Sequence, residues 1–334
     1  MSAKTVLLVD IESGSVGVAL AHLVSGEAPK LFAEARVALP IFTTLNSAVL
    51  VREIEKTLRE LLSHASLVAT RLRGHRVVSQ MGTISEVLVF LSPPWTSPGQ
   101  GQKSLQWEHE LTLVSRIQTA VNDMFGAIPT AFHPFGTAAS YATDALFQKQ
   151  KEFLLCRVGG EVTELLLVAG GDLHGQGTVP FGHHTVLRTL QHHAGLSAQE
   201  ARSALRLGTV SLSNPPHTIA EPLNAAASHA VREFSEAAHD VLGKSAVRGV
   251  LIIAPAPLGE WFAHTLANPP SGGEVLVDIF PHSTTVRALH THHLEPHIAA
   301  HAAAPDLLLM LEALFFAKSS PVSGGANKKF SDVQ

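Results

Sequence analysis

Two short polar turns, each lying between apolar stretches, contain the residues best suited to chemistry on a phosphate group. The first is Asp10-Ile-Glu-Ser-Gly-Ser15, which lies between the apolar runs Thr5–Val9 and Val16–Leu20. A carboxylate that ends a buried strand can hold Mg²⁺ through water, and a turn of small residues presents backbone N–H groups to a phosphate. The candidate residues are Asp10 for the metal and Ser13, Gly14 and Ser15, together with Asp10, for the phosphates.

The second turn lies inside Phe153–Pro180, where Phe153–Val158 and Thr163–Ala169 read as the two strands of a hairpin. Glycine at its first turn allows the backbone to approach a bound anion closely. An ordinary hairpin with glycine turns is the alternative interpretation, and the similar turn near the N-terminus favours the phosphate site. The candidates are Gly159, Gly160, Thr163 and Glu164.

These two hairpins, each opening one half of the chain, resemble the phosphate loops of the actin-like ATPase superfamily. In the branch that contains the division protein FtsA and the type IV pilus assembly protein PilM, the first loop reads roughly Asp-Ile-Gly-Ser-Ser-Ser. The second reads roughly Asp-Ile-Gly-Gly-Gly-Thr-Thr-Asp, where this chain has Arg157–Glu164. Gly177–Gly182 is similar to the stretch that leads into a helix in that branch. Gly249–Gly259 takes the place of its adenosine loop, with candidate contacts at Ala254, Ala256 and Gly259.

The resemblance implies an α/β, actin-like (ribonuclease H-like) two-lobed fold with a small inserted subdomain. Residues 1–150 would form the first lobe, with the inserted subdomain at about 30–100, and residues 151–318 the second lobe. Residues 319–334 are polar and glycine-containing, which is typical of a disordered tail. The resemblance also implies ATP and Mg²⁺ as cofactors.

Several positions depart from the family pattern. Glu12 replaces a glycine and brings negative charge to the place of the phosphate, which Coulomb repulsion disfavours. Arg157 replaces the leading aspartate of the second loop; it could pair with Glu12 or bind phosphate itself. Pro255 removes a backbone donor from the adenosine loop. These departures indicate a site that is degraded for hydrolysis and leave nucleotide binding open.

The resemblance to PilM implies a scaffold protein that binds the cytoplasmic peptide of a membrane-anchored pilus or division protein. That peptide would lie in a groove between the first lobe and the inserted subdomain, lined by Leu50, Val89 and Trp95. Such a protein would be cytoplasmic and recruited to the inner face of the cell membrane, and the same fold class allows self-association. Two alternatives remain open: an ATP-dependent switch of the FtsA type, and a small-molecule kinase whose acidic base would be Asp144 or Asp172.

Composition limits the function further. Of 334 residues, 46% are hydrophobic and 16% charged, and the net charge is −4. The chain therefore lacks the excess of basic residues that is typical of nucleic-acid-binding proteins. The single cysteine excludes a disulfide framework, and no apolar run is long enough to span a membrane. Among 20 histidines, His293, His297 and His301 have helical spacing for Zn²⁺, but Pro296 interrupts it and favours a solvated face.

Hydrophobic periodicity, prolines and glycines give the remaining elements. The further predicted strands are Lys30–Leu39, Glu86–Leu91, Val250–Ile253 and Glu274–Ile279. The predicted helices are Ser47–Ala69, about Glu108–Phe125, Gly136–Leu146, His183–Ala194, Glu221–Leu242 and Asp306–Lys318, with a capping box at Ser197–Glu200.

Overall fold

Two β-sheets form the framework of the chain. The structure, a computed structural model, describes residues 3–24, 27–42, 44, 46–73, 83–96, 110–147, 152–210, 216–243, 245, 247–255, 258–270, 280, 284–302 and 304–319. The strands are β1 (Ala3–Ile11), β2 (Ser15–Val24), β3 (Lys30–Ala38), β4 (Ile84–Leu91), β5 (Thr130–Pro134), β6 (Glu152–Val158), β7 (Thr163–Ala169), β8 (Asp172–Val179), β9 (Gly249–Ile253), β10 (Thr285–Ala288) and β11 (Ala299–Ala300).

In each half, helices follow the three opening strands: one helix follows β3, and three follow β8. The helices are α1 (Ser47–Arg73), α2 (Glu110–Phe125), α3 (Phe135–Leu146), α4 (His183–Ala194), α5 (Ala198–Val210), α6 (His217–Leu242), α7 (Leu258–Ala267) and α8 (Leu307–Ser319), with a short 3₁₀ turn at Thr291–His293.

The two sheets have the same internal topology. The first has the strand order β11-β3-β2-β1-β4-β5 and the second β10-β9-β6-β7-β8. Each begins with three antiparallel strands, β1 to β3 or β6 to β8, and continues with parallel strands on the other side of the first strand. The turn of each opening hairpin therefore lies at the carboxyl end of its first strand, where the polar residues of the sequence motifs are found.

Three apolar clusters hold the sheets and helices together. One packs α1 and α2 on the first sheet, and a second packs α4 to α7 on the second sheet. The third joins the two sheets through α3 and α8, whose side chains contact strands of both halves. Because α8 is apolar on all sides and comes last in the described chain, it is buried only when both halves are in place.

The chain also crosses back to the first sheet near its end. The short strand β11 pairs in parallel with Lys30 and Leu31 at the edge of β3, and His301 stacks on Phe32 with 4.5 Å between ring centroids. The last described part of the chain is thus connected to the first lobe by both β11 and α8.

Most predicted elements occur close to their predicted bounds. The capping box is present: Ser197 N–H donates to Glu200 Oε2 at 2.8 Å, and Glu200 N–H donates to Ser197 Oγ at 3.3 Å. Helix α6 begins at His217, ahead of the predicted Glu221. The predicted strand Glu274–Ile279 and the tail from residue 320 lie outside the described residues.

The elements described between residues 30 and 100 belong to the first sheet and its covering helix. The described residues between 30 and 100 supply β3, α1 and β4, which are two strands of the first sheet and a helix packed on it. A helix and two strands in sequence do not reveal which sheet they join, because sheet membership depends on pairing with β1 and β2. The described part of this range therefore belongs to the body of the first lobe.

Candidate functional site

The two glycine-containing loops meet face to face at the junction of the lobes. Here loop 1 means residues 12–14, between β1 and β2, and loop 2 means residues 159–162, between β6 and β7. An added Cβ on Gly160 would lie 2.4 Å from the Cα of Gly14, and one on Gly14 would lie 2.6 Å from the Cα of Gly160. Such distances are shorter than any normal contact, so the backbones of the two loops already touch.

Side chains of loop 1 accept the hydrogen bonds that loop 2 can donate. The Gly160 N–H donates to Glu12 Oε2 at 2.7 Å, and the Glu161 N–H donates to Ser13 Oγ at 2.9 Å. The other Glu12 oxygen accepts a 2.7 Å hydrogen bond from Ser15 Oγ. A backbone N–H of the glycine loop, the group that suits a phosphate, is therefore directed at a carboxylate of the protein itself.

Glu12 is ionised although it is buried. Burial by itself would raise its pKa, but the charge of Arg157, the Ser15 hydrogen bond and the charge of Arg36 outweigh burial, and the pKa lies below its usual value. The junction therefore contains a permanent negative charge at the position that the sequence comparison assigned to the phosphate.

Asp10 also has cationic partners on both of its oxygens. Arg36 Nη1 donates to Oδ2 at 2.8 Å, and Arg157 Nη2 approaches Oδ1 at 3.5 Å. The Arg157 guanidinium is buried and lies over the Phe135 ring, 4.3 Å from its centroid. The carboxylate of Asp10 thus faces two arginines, one from each half of the chain.

Arg36 extends this cluster to the last helix. Its guanidinium contacts Asp306 as well as Asp10, and Asp306 Oδ1 accepts hydrogen bonds from Leu308 N–H and Leu309 N–H at the start of α8. Glu312, one turn further along α8, is completely buried, and burial together with the charge of Asp10 raises its pKa well above the usual value. The protonated, neutral form of Glu312 is therefore favoured.

The remaining candidates of the second loop serve contacts within their own lobe. The Gly159 carbonyl accepts from the backbone N–H of His183 at 3.0 Å and lies 2.9 Å from His183 Nδ1. Thr163 Oγ1 donates to the Phe181 carbonyl at 2.7 Å, and Glu164 accepts from Gln176 Nε2 at 2.9 Å. Burial raises the pKa of Glu164 to about 7 against the opposing effect of the Arg157 charge.

A second interlobe contact involves residues that the sequence did not single out as site residues. Both Glu161 oxygens accept from Arg188, at 2.9 and 2.7 Å, and His184 Nδ1 lies 2.9 Å from Oε1. Burial opposes ionisation, but the hydrogen bonds of His184 and Arg188 hold the pKa of Glu161 at about 2. Arg188 also reaches the Phe42 carbonyl of the first lobe at 3.5 Å. In the sequence, the adjacent histidines His183 and His184 are the one unusual feature at this contact, and nothing marks Arg36 or Asp306.

The adenosine-loop candidates border a cavity of about 320 Å³. Ala254 and Gly259 line it together with Arg36, His290 and Asp306, whereas Ala256 lies outside the described residues. A cavity therefore lies next to the predicted adenosine loop. The two phosphate loops, however, are in contact with each other.

The residues predicted to line the partner groove are in the protein interior. Leu50, Val89 and Trp95 have at most 1% of their surface exposed and belong to the cluster that packs α1 and α2 on the first sheet. The groove prediction is corrected accordingly: these side chains stabilise the lobe and present no surface to a peptide. Trp95 follows Pro93-Pro94 just after β4, and its indole packs into this cluster.

As the described residues are arranged, the site does not fit a metal-bound phosphate. The Gly160 donor is used by Glu12, the loops leave no gap between Gly14 and Gly160, and both oxygens of Asp10 face arginines. Magnesium needs oxygen ligands in a near-octahedral arrangement, and a buried guanidinium beside Asp10 excludes a second cation electrostatically.

The histidine spacing does not produce a metal centre in the described part of the chain, where no three potential ligands converge. His293 lies in the 3₁₀ turn and His301 stacks on Phe32. Within the described ranges, no helix is both long and apolar enough to cross a membrane.

Two sheets that share a five-stranded topology, each opened by a hairpin whose turn faces the other, define the actin-like two-lobed class of α/β proteins. The predicted fold is therefore confirmed. Among solved structures, the PilM–PilN type IV pilus biogenesis complex is similar over 94% of this chain and 97% of that chain, with 15% identity and a TM-score of 0.54.

Two further solved structures are similar over large parts of the chain. The ethanolamine utilization protein EutJ from Carboxydothermus hydrogenoformans is 10% identical, with a TM-score of 0.49 over 95% of this chain and 90% of that chain. The Aquifex aeolicus PPX-GPPA enzyme is 12% identical, with a TM-score of 0.41 over 75% and 68%. No family model and no curated protein matches the sequence. At 15% identity, the likeness to the PilM–PilN structure describes the fold alone.

Proposed function

We propose that this protein is an actin-fold scaffold of the PilM kind, which holds the cytoplasmic segment of a membrane-anchored partner without using nucleotide. It acts in the cytoplasm, at the inner face of the cell membrane, as part of a pilus or division apparatus. The observation that supports this proposal best is the hydrogen bond from Gly160 N–H to Glu12, which occupies the phosphate loops with the protein's own carboxylate.

The extent of the structural likeness to PilM supports the choice of partner. The similarity covers nearly the whole of both chains, and the solved PilM structure is of an assembly with PilN. Because Leu50, Val89 and Trp95 are interior, the proposal places the partner on a different surface of the protein from the one suggested by the sequence.

The kinase alternative loses one of its two candidate bases. Asp172 lies at the β7–β8 turn and pairs with Ala169, whereas Thr163, beside the loops, pairs with Val179 at the opposite end of the same hairpin. A base must lie within hydrogen-bond reach of its substrate, so Asp172 is at the wrong end of the sheet. No observation on the described residues favours the kinase over the scaffold.

Nucleotide independence is tested by calorimetric titration of the wild-type protein with ATP, with and without Mg²⁺, and by the same titration of Asp10→Ala. We expect no binding heat and no rise in melting temperature at millimolar ATP. Micromolar, Mg²⁺-dependent binding that Asp10→Ala abolishes would contradict the proposal and support the ATP-dependent switch.

The partner is tested by co-sedimentation with native membrane vesicles whose cytoplasmic face is outward. We expect sedimentation that is unaffected by ATP and lost after the vesicles are shaved with protease, because the partner is a protein segment. Liposomes of the extracted lipids are the matched control. Binding to those liposomes, or binding that survives shaving, would contradict a peptide partner.

A further inference from the structure

We propose that Arg157 and Glu12 stand in the places of the metal ion and the phosphate of this fold class, as an internal cation and an internal anion. The two loops are thereby held together by the protein's own charges. This inference rests on the proposed function and explains why such a scaffold would need no nucleotide. Its starting observation is that the site does not fit a metal-bound phosphate.

Glu12 has the contacts of a bound anion. It accepts hydrogen bonds from the backbone of loop 2, through Gly160, and from the hydroxyl of Ser15 in its own hairpin. It is almost fully buried, so these donors and the nearby positive charges replace water. An oxyanion held by a glycine-loop N–H and a hydroxyl is the arrangement that a phosphate oxygen would otherwise have.

Arg157 has the position and charge of a bound cation. It lies on β6 directly before loop 2, within reach of Asp10. Among the interactions that lower the pKa of Glu12, the charge of Arg157 has the largest effect. Only 2% of its side chain is exposed, and its Nε has no hydrogen-bond partner among the described residues. Because this guanidinium has lost its water, its positive charge must be stabilised by the surrounding carboxylates.

Every charge of the cluster has a partner of opposite sign without any ligand. Asp10, Glu12 and Asp306 carry the negative charges; Arg36 contacts Asp10 and Asp306, and the charge of Arg157 acts on Asp10 and Glu12. Removing one member leaves its partners buried and unpaired, which is far more costly than removing a surface charge. The missing charge should then be replaceable by a small ion of the same sign.

The cation half is tested with Arg157→Asp and its matched control Arg157→Met. We expect both variants to melt below the wild type in the presence of EDTA, because buried acids lose their counter-charge. Magnesium chloride at about 10 mM should raise the melting temperature of Arg157→Asp by about 3 °C or more and leave the control and the wild type unchanged. An equal response of Arg157→Asp and Arg157→Met would overturn the assignment.

The anion half is tested with Glu12→Gly and its matched control Glu12→Gln. The glycine frees the Gly160 N–H beside Arg157, whereas glutamine fills the same space and keeps an acceptor. Inorganic phosphate at about 10 mM should stabilise Glu12→Gly by about 3 °C or more relative to chloride of equal ionic strength, and should leave Glu12→Gln unchanged. No difference between the two variants would refute the anion role.

If Arg157→Asp does not fold, the double variant Glu12→Gly/Arg157→Asp removes one of the clustered acids and carries the same cation test. These experiments use variants only. Their failure would leave the wild-type titration with ATP and the membrane experiment as independent tests of the scaffold.

Discussion

Four carboxyl groups near the lobe junction, Glu12, Glu164 and Glu312, which are buried, and Asp306, which is partly buried, differ in pKa because their surroundings differ. Burial raises the pKa of each, yet Glu12 and Asp306 are ionised because arginines and hydrogen-bond donors face them. For Glu164 the charge of Arg157 and the hydrogen bond of Gln176 do not offset burial, and Glu312 is buried beside the like charge of Asp10, so the pKa values of both groups rise. Charge at the junction is thus decided by the number of donors and cations facing each group.

The raised pKa of Glu164 predicts a stability that depends on pH. The folded protein binds this proton with a pKa of about 7 against an ordinary value of 4.5, so its stabilising effect is complete below pH 4.5 and lost as the pH rises through 7. Glu164→Gln should abolish this part of the decline, about 3 kcal/mol between pH 4.5 and 8. Urea unfolding at several pH values measures it.

Glu221→Gln, at an exposed position on α6, is the control for the loss of a carboxyl group as such. A Glu164→Gln variant that retains the wild-type decline between pH 5 and 8 would show that other groups carry it, with Glu312 the foremost of these.

At the scale of elements, α8 is stabilised at its first turn by a single carboxylate. Asp306 caps the helix through Leu308 N–H and Leu309 N–H and pairs with Arg36, so it connects the helix to the loop cluster. We expect Asp306→Ala to lower the free energy of unfolding by about 3 kcal/mol, because a cap is lost and Arg36 loses a buried partner. Equilibrium urea unfolding is the measurement.

Asp306→Asn separates the two contributions, since the amide oxygen still caps the helix while the charge is gone. It should fall between the wild type and Asp306→Ala. Asp123→Ala, which breaks a largely exposed pair with Arg59, is the matched control and should change the free energy of unfolding by less than about 1 kcal/mol. Equal effects of Asp306→Ala and Asp123→Ala would contradict the prediction.

The packing of α1 on the first sheet gives a separate prediction for Trp95. Its side chain is fully buried in the same cluster as Leu50 and Val89. Trp95→Ala should therefore cost about 3–5 kcal/mol of stability, through lost burial and the cavity left behind. We expect partner binding per folded molecule to be unchanged, as measured by membrane co-sedimentation after correction for the folded fraction.

Leu67→Ala, at an exposed position further along α1, is the control for this helix and should change stability little. Loss of membrane binding by a folded Trp95→Ala protein would bring back the original groove hypothesis, with the indole acting from an opened conformation.

At the scale of the whole molecule, several contacts hold the lobes closed at once. The loops touch at Gly14 and Gly160, α8 packs between the sheets, and β11 pairs with the edge of β3. A ligand shifts a conformational equilibrium only if it binds the two states differently. Because the N–H groups of loop 2 already donate to loop 1, ATP would gain little binding free energy in a more closed state.

We therefore expect the radius of gyration from small-angle X-ray scattering to be the same with and without Mg²⁺ and ATP. The matched variant is Glu12→Gly, in which the Gly160 N–H is released while α8 and β11 still connect the lobes; in the absence of ATP its radius of gyration should equal that of the wild type. A wild-type protein that becomes more compact on addition of ATP would refute the locked state.

Local patterns in the sequence determined much of this protein. Alternating and continuous apolar runs, glycine turns and one capping box give most strands and helices, because these features depend on neighbours along the chain. The two hairpins with their polar turns were enough to predict the actin-like fold. The substitutions Glu12 and Arg157 already indicated an altered site, since an extra acid and an extra base in phosphate loops are evident from residue type alone.

Only the tertiary structure decided what these residues do. Glu12 and Gly160 are 148 positions apart, and Arg36 and Asp306 are 270 apart, so no periodicity or motif could pair them. For the same reason the sequence could not show that β3 and β4 join the main sheet or that Trp95 points inward. Hydrogen bonds and charge pairs at a lobe junction depend on distance in space, and that distance exists only after both lobes have folded.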